Sequence, residues 1–364
     1  MVTFTAYTLE EPVWILKSGM TKGIHHDKQA LGIIVPAETL IRVRHTDPSP
    51  DIKLILELLN NDRTTEHYLT ISNQFTEFTT TFESVPFIRT PYTSITSKID
   101  IEVHLNKNGT WLPTYNEKSD SHAFFKQWDD QQSAFALIKT KFADLLVPAK
   151  DKPRLKELDS AAGLNSLNSY YTEIFELFNT FAGFQPSASS GFDRNTPNRY
   201  FMKADIKGPG SAYYGGTHTA ESGTGSVAAF WLDTRPDNWG SLHEIAHGYQ
   251  GLFMSHSPLN LFEAWNNVYA ALYQNKHMGK DVFNRGWLYG GAAQTKFDQL
   301  QRNYDEDLPL HQWGNGMIIL FLVQLFENKR EPALAEFNKQ YRILSNRADF
   351  KAENHPAFEV IADA

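Results

Sequence analysis

The chain has 364 residues, 41% hydrophobic and 13% aromatic, which is enough to bury a sizeable core and excludes a disordered polypeptide. Its formal net charge of −8 comes without any Lys/Arg cluster, which argues against nucleic acid or an anionic membrane surface as a partner. There is no cysteine, so disulfides and thiolate ligands are excluded and any metal has to sit on His, Asp or Glu.

The first residues, "MVTFTAYTLEEPVW", lack a basic segment followed by an apolar core, so no signal peptide is visible. Alternating apolar and polar residues then predict strands at Thr39–Arg44, Tyr68–Ser72 and Ile99–Leu105. Asn108-Gly109 predicts a hairpin turn that brings "TWLPTY" back as a partner of the last of these. The adjacent His25 and His26 read as a loop or cap. From about Asn116 the period changes. Ser121–Leu146 reads as helical, and Leu164, Leu167, Tyr171, Ile174, Phe178 and Phe181 form one stripe with Gly183 beyond its end. Further strands are expected at Arg199–Ile206 and Val227–Asp233. The apolar run Met317–Phe326 is too short to span a bilayer and reads as a buried helix, so no membrane insertion is expected. The fold class is therefore α+β. A β-sandwich-like N-terminal domain (residues 1–115) precedes a mainly helical catalytic domain with a small sheet (residues 116–364).

The chemistry concentrates in "DTRPDNWGSLHEIAHGYQGLF". Pro236 followed by Asp237 or Asn238 starts a helix. On it His243 and His247 stand at i and i+4, so that both rings project from one face and can bind one zinc ion. Glu244 lies beside the first histidine, where its carboxylate can reach a water. This is the HExxH pattern of zinc peptidases. A second helix, starting at Ser257-Pro258, carries the apolar stripe Leu261, Trp265, Val268 and Leu272. Glu263 is off that stripe, with Asn267 one turn later. Glu263 is favoured over His256 as third ligand, because helix-borne ligands are better preorganised. Tyr289, His256 and His311 are candidates to stabilise an oxyanion, and the sequence does not choose among them.

"NWGSLHEIAHGYQ" followed by "FEAWNNVYA" resembles the enhancin family and its mucin-degrading metallopeptidase relatives, which are gluzincins. "GSAYYGGTH" (Gly210–His218) resembles the family's glycine-containing stretch ahead of the zinc helix, and "LGIIVPAETLIRVR" the opening of its β-rich portion. The resemblance implies that His243, His247 and Glu263 hold Zn2+ and that Glu244 is the catalytic base. It also implies a mucin-like, O-glycosylated protein substrate and a secreted or extracellular setting. Enhancins often continue past such a catalytic region, so C-terminal modules are expected to be missing or trimmed here. Tyr214, Gly215 and Gly216 could line the cleft, the glycines letting a substrate backbone approach closely, and Asn267 could contact sugar. Two other readings stay open. One is a zinc aminopeptidase or general peptidase without glycan preference; the other is an inert glycoprotein-binding module, although a pure binder has no use for Glu244.

Overall fold

The alternating runs near the start do form strands. In Leu40–His45, Ile41 and Val43 point inward while Arg42 and Arg44 face outward, Arg44 meeting Glu102 on the next strand at 2.8 Å. That strand lies between Lys98–Leu105 and Thr76–Thr79, and Val2–Tyr7 completes an antiparallel four-stranded sheet. A second antiparallel sheet has the order Lys28–Ala30, Val85–Arg89, Leu54–Leu59, His67–Ile71. Ile41, Val43, Ile101 and Val103 from the first sheet share one apolar cluster with Leu54, Leu56, Leu58 and Ile88 from the second. Each such side chain contributes about 1.5–3 kcal/mol by leaving water, so this cluster is what pins the register of both sheets.

The computed structural model describes residues 2–49, 52–93, 97–185, 188, 191–256, 259–329, 332–355 and 361. They group into two units. Met1–Glu11, Gly23–Thr172 and Pro197–Asp233 form the first, and Pro12–Lys22, Glu173–Thr196 and Thr234–Ala364 the second. Besides the two four-stranded sheets, the first unit holds a mixed sheet of six strands. Its order is Thr114–Tyr115, Phe135–Lys139, Ala143–Pro148, Tyr200–Asp205, Thr219–Ser222 and, at the edge, Ala212–Tyr214.

Three expectations fail, each for a local reason. Ser121–Leu146 is not one helix. The helix ends at Gln131, Gln132 adopts a left-handed conformation (φ 48°), and the rest is the antiparallel pair Phe135–Lys139 and Ala143–Pro148. Nor does Asn108-Gly109 make a hairpin: Thr110–Trp111 pairs with Ile33–Ile34, and Thr114–Tyr115 runs parallel to Phe135–Lys139. Gly109 sits so close to the Ile34 carbonyl that a Cβ there would be 2.7 Å from its oxygen. Val227–Asp233, finally, is a turn and not a strand, because carboxylates collect its N–H groups. Asp151 accepts from Val227 at 2.7 Å, and Glu221 from Ala229 and Phe230 at 3.2 and 3.0 Å.

Burial pushes the Glu221 carboxyl up from 4.5 to about 7, the Phe230 N–H working against it. In this pH window the folded chain holds a proton that the unfolded chain has released, so the native state loses stability as pH rises from 4.5 to 7. Glu221→Gln keeps an acceptor for both N–H groups and has no proton to lose. It should gain roughly 2 kcal/mol on the wild type between pH 4.5 and pH 7. Urea unfolding at the two pH values measures this, and an equal gap at both would show that Glu221 does not carry the dependence.

The stripe of the helix Asn165–Phe181, of which Glu173 onward belongs to the second unit, is buried through its last turn at Phe178 and Phe181. Beyond it Gly183 takes φ +70°, and a Cβ there would meet the Ala335 carbonyl oxygen at 2.6 Å. The buried Arg342 donates to the carbonyls of Ala182, Gly183 and Phe192, all beyond the helix end. Asn315–Lys329 is the buried helix expected around Met317, and among the described residues no helix is long and apolar enough to cross a membrane. The helix Phe262–Met278 is anchored by Trp265, which packs edge-on against Phe253 and Phe326. The expected helix start at Ser257-Pro258 lies outside the described residues.

Candidate metal centre

The helix Trp239–Ala246 begins after Asn238 in the N-cap position, and its residues Gly240 to Ala246 are all buried. Leu242, Ile245 and Ala246 pack inward, which turns His243 and His247 to one side. His247 follows the last α-helical residue and opens a 3-10 turn, His247–Tyr249. The two imidazoles remain one turn apart, with ring centroids separated by 4.8 Å at 87°. On the helix Phe262–Met278, the stripe of Leu261, Trp265, Val268 and Leu272 is buried and Glu263 is left half-exposed in the first turn.

A single Glu263 oxygen, Oε2, faces both rings. It lies 3.4 Å from His243 Nε2 and 4.0 Å from His247 Nε2. Ligand atoms around one tetrahedral zinc ion are about 3.3 Å apart when each bond is about 2.0–2.1 Å. Both Glu263 separations lie within an ångström of that spacing, as a zinc-sized cation shared between Glu263 and each histidine requires. Glu244 stands on the flank, its Oε2 3.8 Å from His247 Nε2, and one ring nitrogen of each histidine and a Glu244 oxygen all lie within 4.8 Å of one another.

Two amides decide which nitrogen of each ring carries the proton. Asn267 Oδ1 accepts from Trp239 Nε1 at 2.5 Å, while its Nδ2 donates to the Glu263 carbonyl at 2.7 Å. An indole N–H can only donate and a carbonyl can only accept, so this amide cannot be turned round. The same Oδ1 lies 3.1 Å from His243 Nδ1, which must therefore be the protonated nitrogen. Gln250 does the same for the second ring. Its Nε2 donates to the Phe262 carbonyl, which leaves Oε1 to accept from His247 Nδ1 at 3.0 Å. Both histidines are thus held with Nε2 as the lone-pair nitrogen, as a metal ligand requires. Burial pushes His243 below its ordinary pKa, with the Asn267 bond acting the other way, so the ring is neutral at neutral pH.

Asn266 Nδ2 lies 3.1 and 3.2 Å from the two nitrogens of His243, and 3.0 and 3.4 Å from those of His247. Near-equal distances to both nitrogens of a ring place the amide over the ring face, away from the in-plane direction along which a metal binds. Aromatic side chains complete the surroundings. Trp239 stacks on the part-exposed Trp287 at 4.9 Å and 7°, and the exposed Phe262 lies against His247 at 5.7 Å.

The structure thus brings together His243, Glu244, His247, Glu263 and Asn267, the last buried with both ends of its amide engaged. Tyr214, Gly215 and Gly216 belong to the first unit, at and just beyond its edge strand. The Tyr214 hydroxyl accepts the Gly23 N–H at 2.8 Å, and the Gly215 carbonyl lies 2.7 Å from Nε2 of the buried His26. His25 and His26 occupy a 3-10 turn, as their loop reading anticipated. Of the oxyanion candidates, Tyr289 is buried, His311 is exposed on a short turn, and the side chain of His256 lies outside the described residues. The sequence reading missed Trp239, Gln250, Asn266 and Trp287. Gln250 stands three residues after His247, a spacing that could have marked it; Trp287 carries no local signal.

The family described as peptidase M60, enhancin and enhancin-like matches residues 113–328, more than half of the chain. The viral-enhancing factor of Pseudalatia unipuncta granulosis virus is 28% identical over 348 residues, covering 92% of this chain and 37% of that protein. The chain thus spans little more than a third of that relative's length. Among solved structures, the catalytic module of the metalloprotease ZmpA from Clostridium perfringens superposes with a TM-score of 0.70 at 14% identity, over 100% of this chain and 74% of that one. The M60 catalytic domain of ZmpC from the same organism, in complex with the sialyl T antigen, gives 0.65 at 12% identity over 100% and 74%. These likenesses establish a shared fold. With the HExxH histidines and their glutamate gathered inside the matched region, the chain belongs to the peptidase M60 family of enhancins and enhancin-like proteins.

Proposed function

We propose that the chain is a zinc-dependent endopeptidase that cleaves mucin-like, O-glycosylated proteins, with His243, His247 and Glu263 as metal ligands and Glu244 as the base. The observation that carries the reading is the single Glu263 oxygen facing two Nε2 atoms whose rings are fixed by amides on their far sides. When bound, zinc supplies a Lewis acid for the peptide carbonyl and for water. Glu244, buried on the flank of the histidines, accepts a proton from the attacking water at its carboxylate and returns it to the nitrogen of the leaving amine. Asn267 and Gln250 keep the imidazoles in the tautomer that this arrangement needs.

The glycoprotein preference is supported by family membership and by the sialyl T antigen held by the ZmpC domain. Tyr214, Gly215 and Gly216 are proposed as substrate contacts, because the edge strand Ala212–Tyr214 can accept an extended peptide alongside it. We also propose a secreted or extracellular setting, and a division into residues 1–115 and 116–364; both four-stranded sheets are complete by Leu105, and the metal ligands follow it. Matched peptides, one O-glycosylated and one bare, provide the test. The zinc-loaded protein should cut the glycosylated peptide faster, and a chelator should stop both reactions, with products mapped by mass spectrometry. Equal or faster cutting of the bare peptide would leave the metallopeptidase standing and remove the glycan preference.

A further inference from the structure

We infer that Gln250 is a positioning residue that sets the spacing between the two halves of the ligand set, an inference that rests on His243, His247 and Glu263 being a metal site. His243 and His247 belong to one helix and its following turn, and Glu263 to another. Helix geometry fixes the distance between the histidines, but only tertiary contacts can fix the distance from them to Glu263. The chain leaves the 3-10 turn at Gln250, where φ −78° and ψ 150° end the turn. Its side chain turns back and is almost wholly buried, 7% exposed.

One planar amide then connects the two halves. Oε1 accepts from His247 Nδ1 at 3.0 Å, and Nε2 donates to the carbonyl of Phe262, the residue directly before Glu263. Because the two bonds share a rigid group, the orientation of the His247 ring and the position of the backbone at Phe262 are set together. Asn267 ties His243 to the backbone of Glu263 in the same manner, from the opposite helix. Without Gln250, the His247 ring could rotate or exchange tautomers, and the first turn carrying Glu263 would keep only the Asn267 amide as a tether of this kind to the histidine segment.

Zinc affinity is measured on the full chain by competition with a chromophoric chelator, for the wild type, Gln250→Met and Gln250→Glu, and the melting temperature of each metal-free protein is recorded. Met keeps the length and removes both bonds. Glu keeps the acceptor for His247 and removes the donor to Phe262. Gln250→Met should bind zinc about ten- to a hundredfold more weakly, with metal-free melting lowered by only a few degrees for the two lost hydrogen bonds. Gln250→Glu should recover only part of that loss. A residue that merely held the fold would lower the metal-free melting temperature and leave the affinity of the folded protein alone. Wild-type affinity in folded Gln250→Met, or complete recovery in Gln250→Glu, overturns the inference. If Gln250→Met does not fold, Gln250→Glu decides alone, and unchanged affinity there overturns it. A wild type that takes up no zinc sinks the metal-site reading itself, and this inference with it.

Discussion

Glu244→Gln is expected to keep its zinc and to lose at least roughly a hundredfold in turnover. Glutamine preserves the volume of a buried side chain and one acceptor oxygen, so the packing of Trp239–Ala246 has no reason to change. The group it lacks is the carboxylate proposed to take a proton from water and give it to the leaving nitrogen. Glu244 Oε2 stands 3.8 Å from His247 Nε2, whereas Glu263 Oε2 lies 3.4 Å from His243 Nε2 and 4.0 Å from His247 Nε2. Metal content by elemental analysis and the turnover of a peptide substrate have to be read on the same sample. Near-normal turnover in a zinc-replete variant would mean that another group activates the water.

The second large effect is expected at Glu263. Its carboxylate is half-exposed, and the helix around it is anchored by Trp265, Val268 and Leu272 rather than by Glu263. Glu263→Ala should therefore melt within a few degrees of the wild type when both are metal-free, since an exposed side chain contributes little to folding. Zinc affinity should fall by roughly a hundredfold or more, the share of one ligand in a total of about 10–16 kcal/mol for a four-ligand site. His256→Ala is the control and should retain its metal. Zinc lost from His256→Ala but kept by Glu263→Ala would reverse the assignment of the third ligand.

The parts of the fold that were legible in the sequence are those where one face is buried and the other is wet. Leu40–His45 and Lys98–Leu105 alternate because only one side of their sheet meets the apolar cluster. Phe135–Lys139 and Ala143–Pro148 are buried on both faces, so their apolar runs carry no period and merged with the preceding helix. Asn108-Gly109 looked like a hairpin on local preference alone, but the partner of Thr110–Trp111 lies far back in the chain at Ile33–Ile34. The candidate site was more legible than the fold, because His243, His247 and Glu263 are set by helical spacing and by their position off an apolar stripe. What surrounds them was not. Trp287 reaches Trp239 only through tertiary packing, and the amide of Gln250 has meaning only once its two partners are in place.

Both histidines lean on carboxamides, where a carboxylate would also have served to hold a ring. A carboxamide has no proton to gain or lose across the working range of pH. The frame around the imidazoles therefore has the same charge and the same donor pattern in acid as in alkali, and it adds no negative charge of its own to the centre.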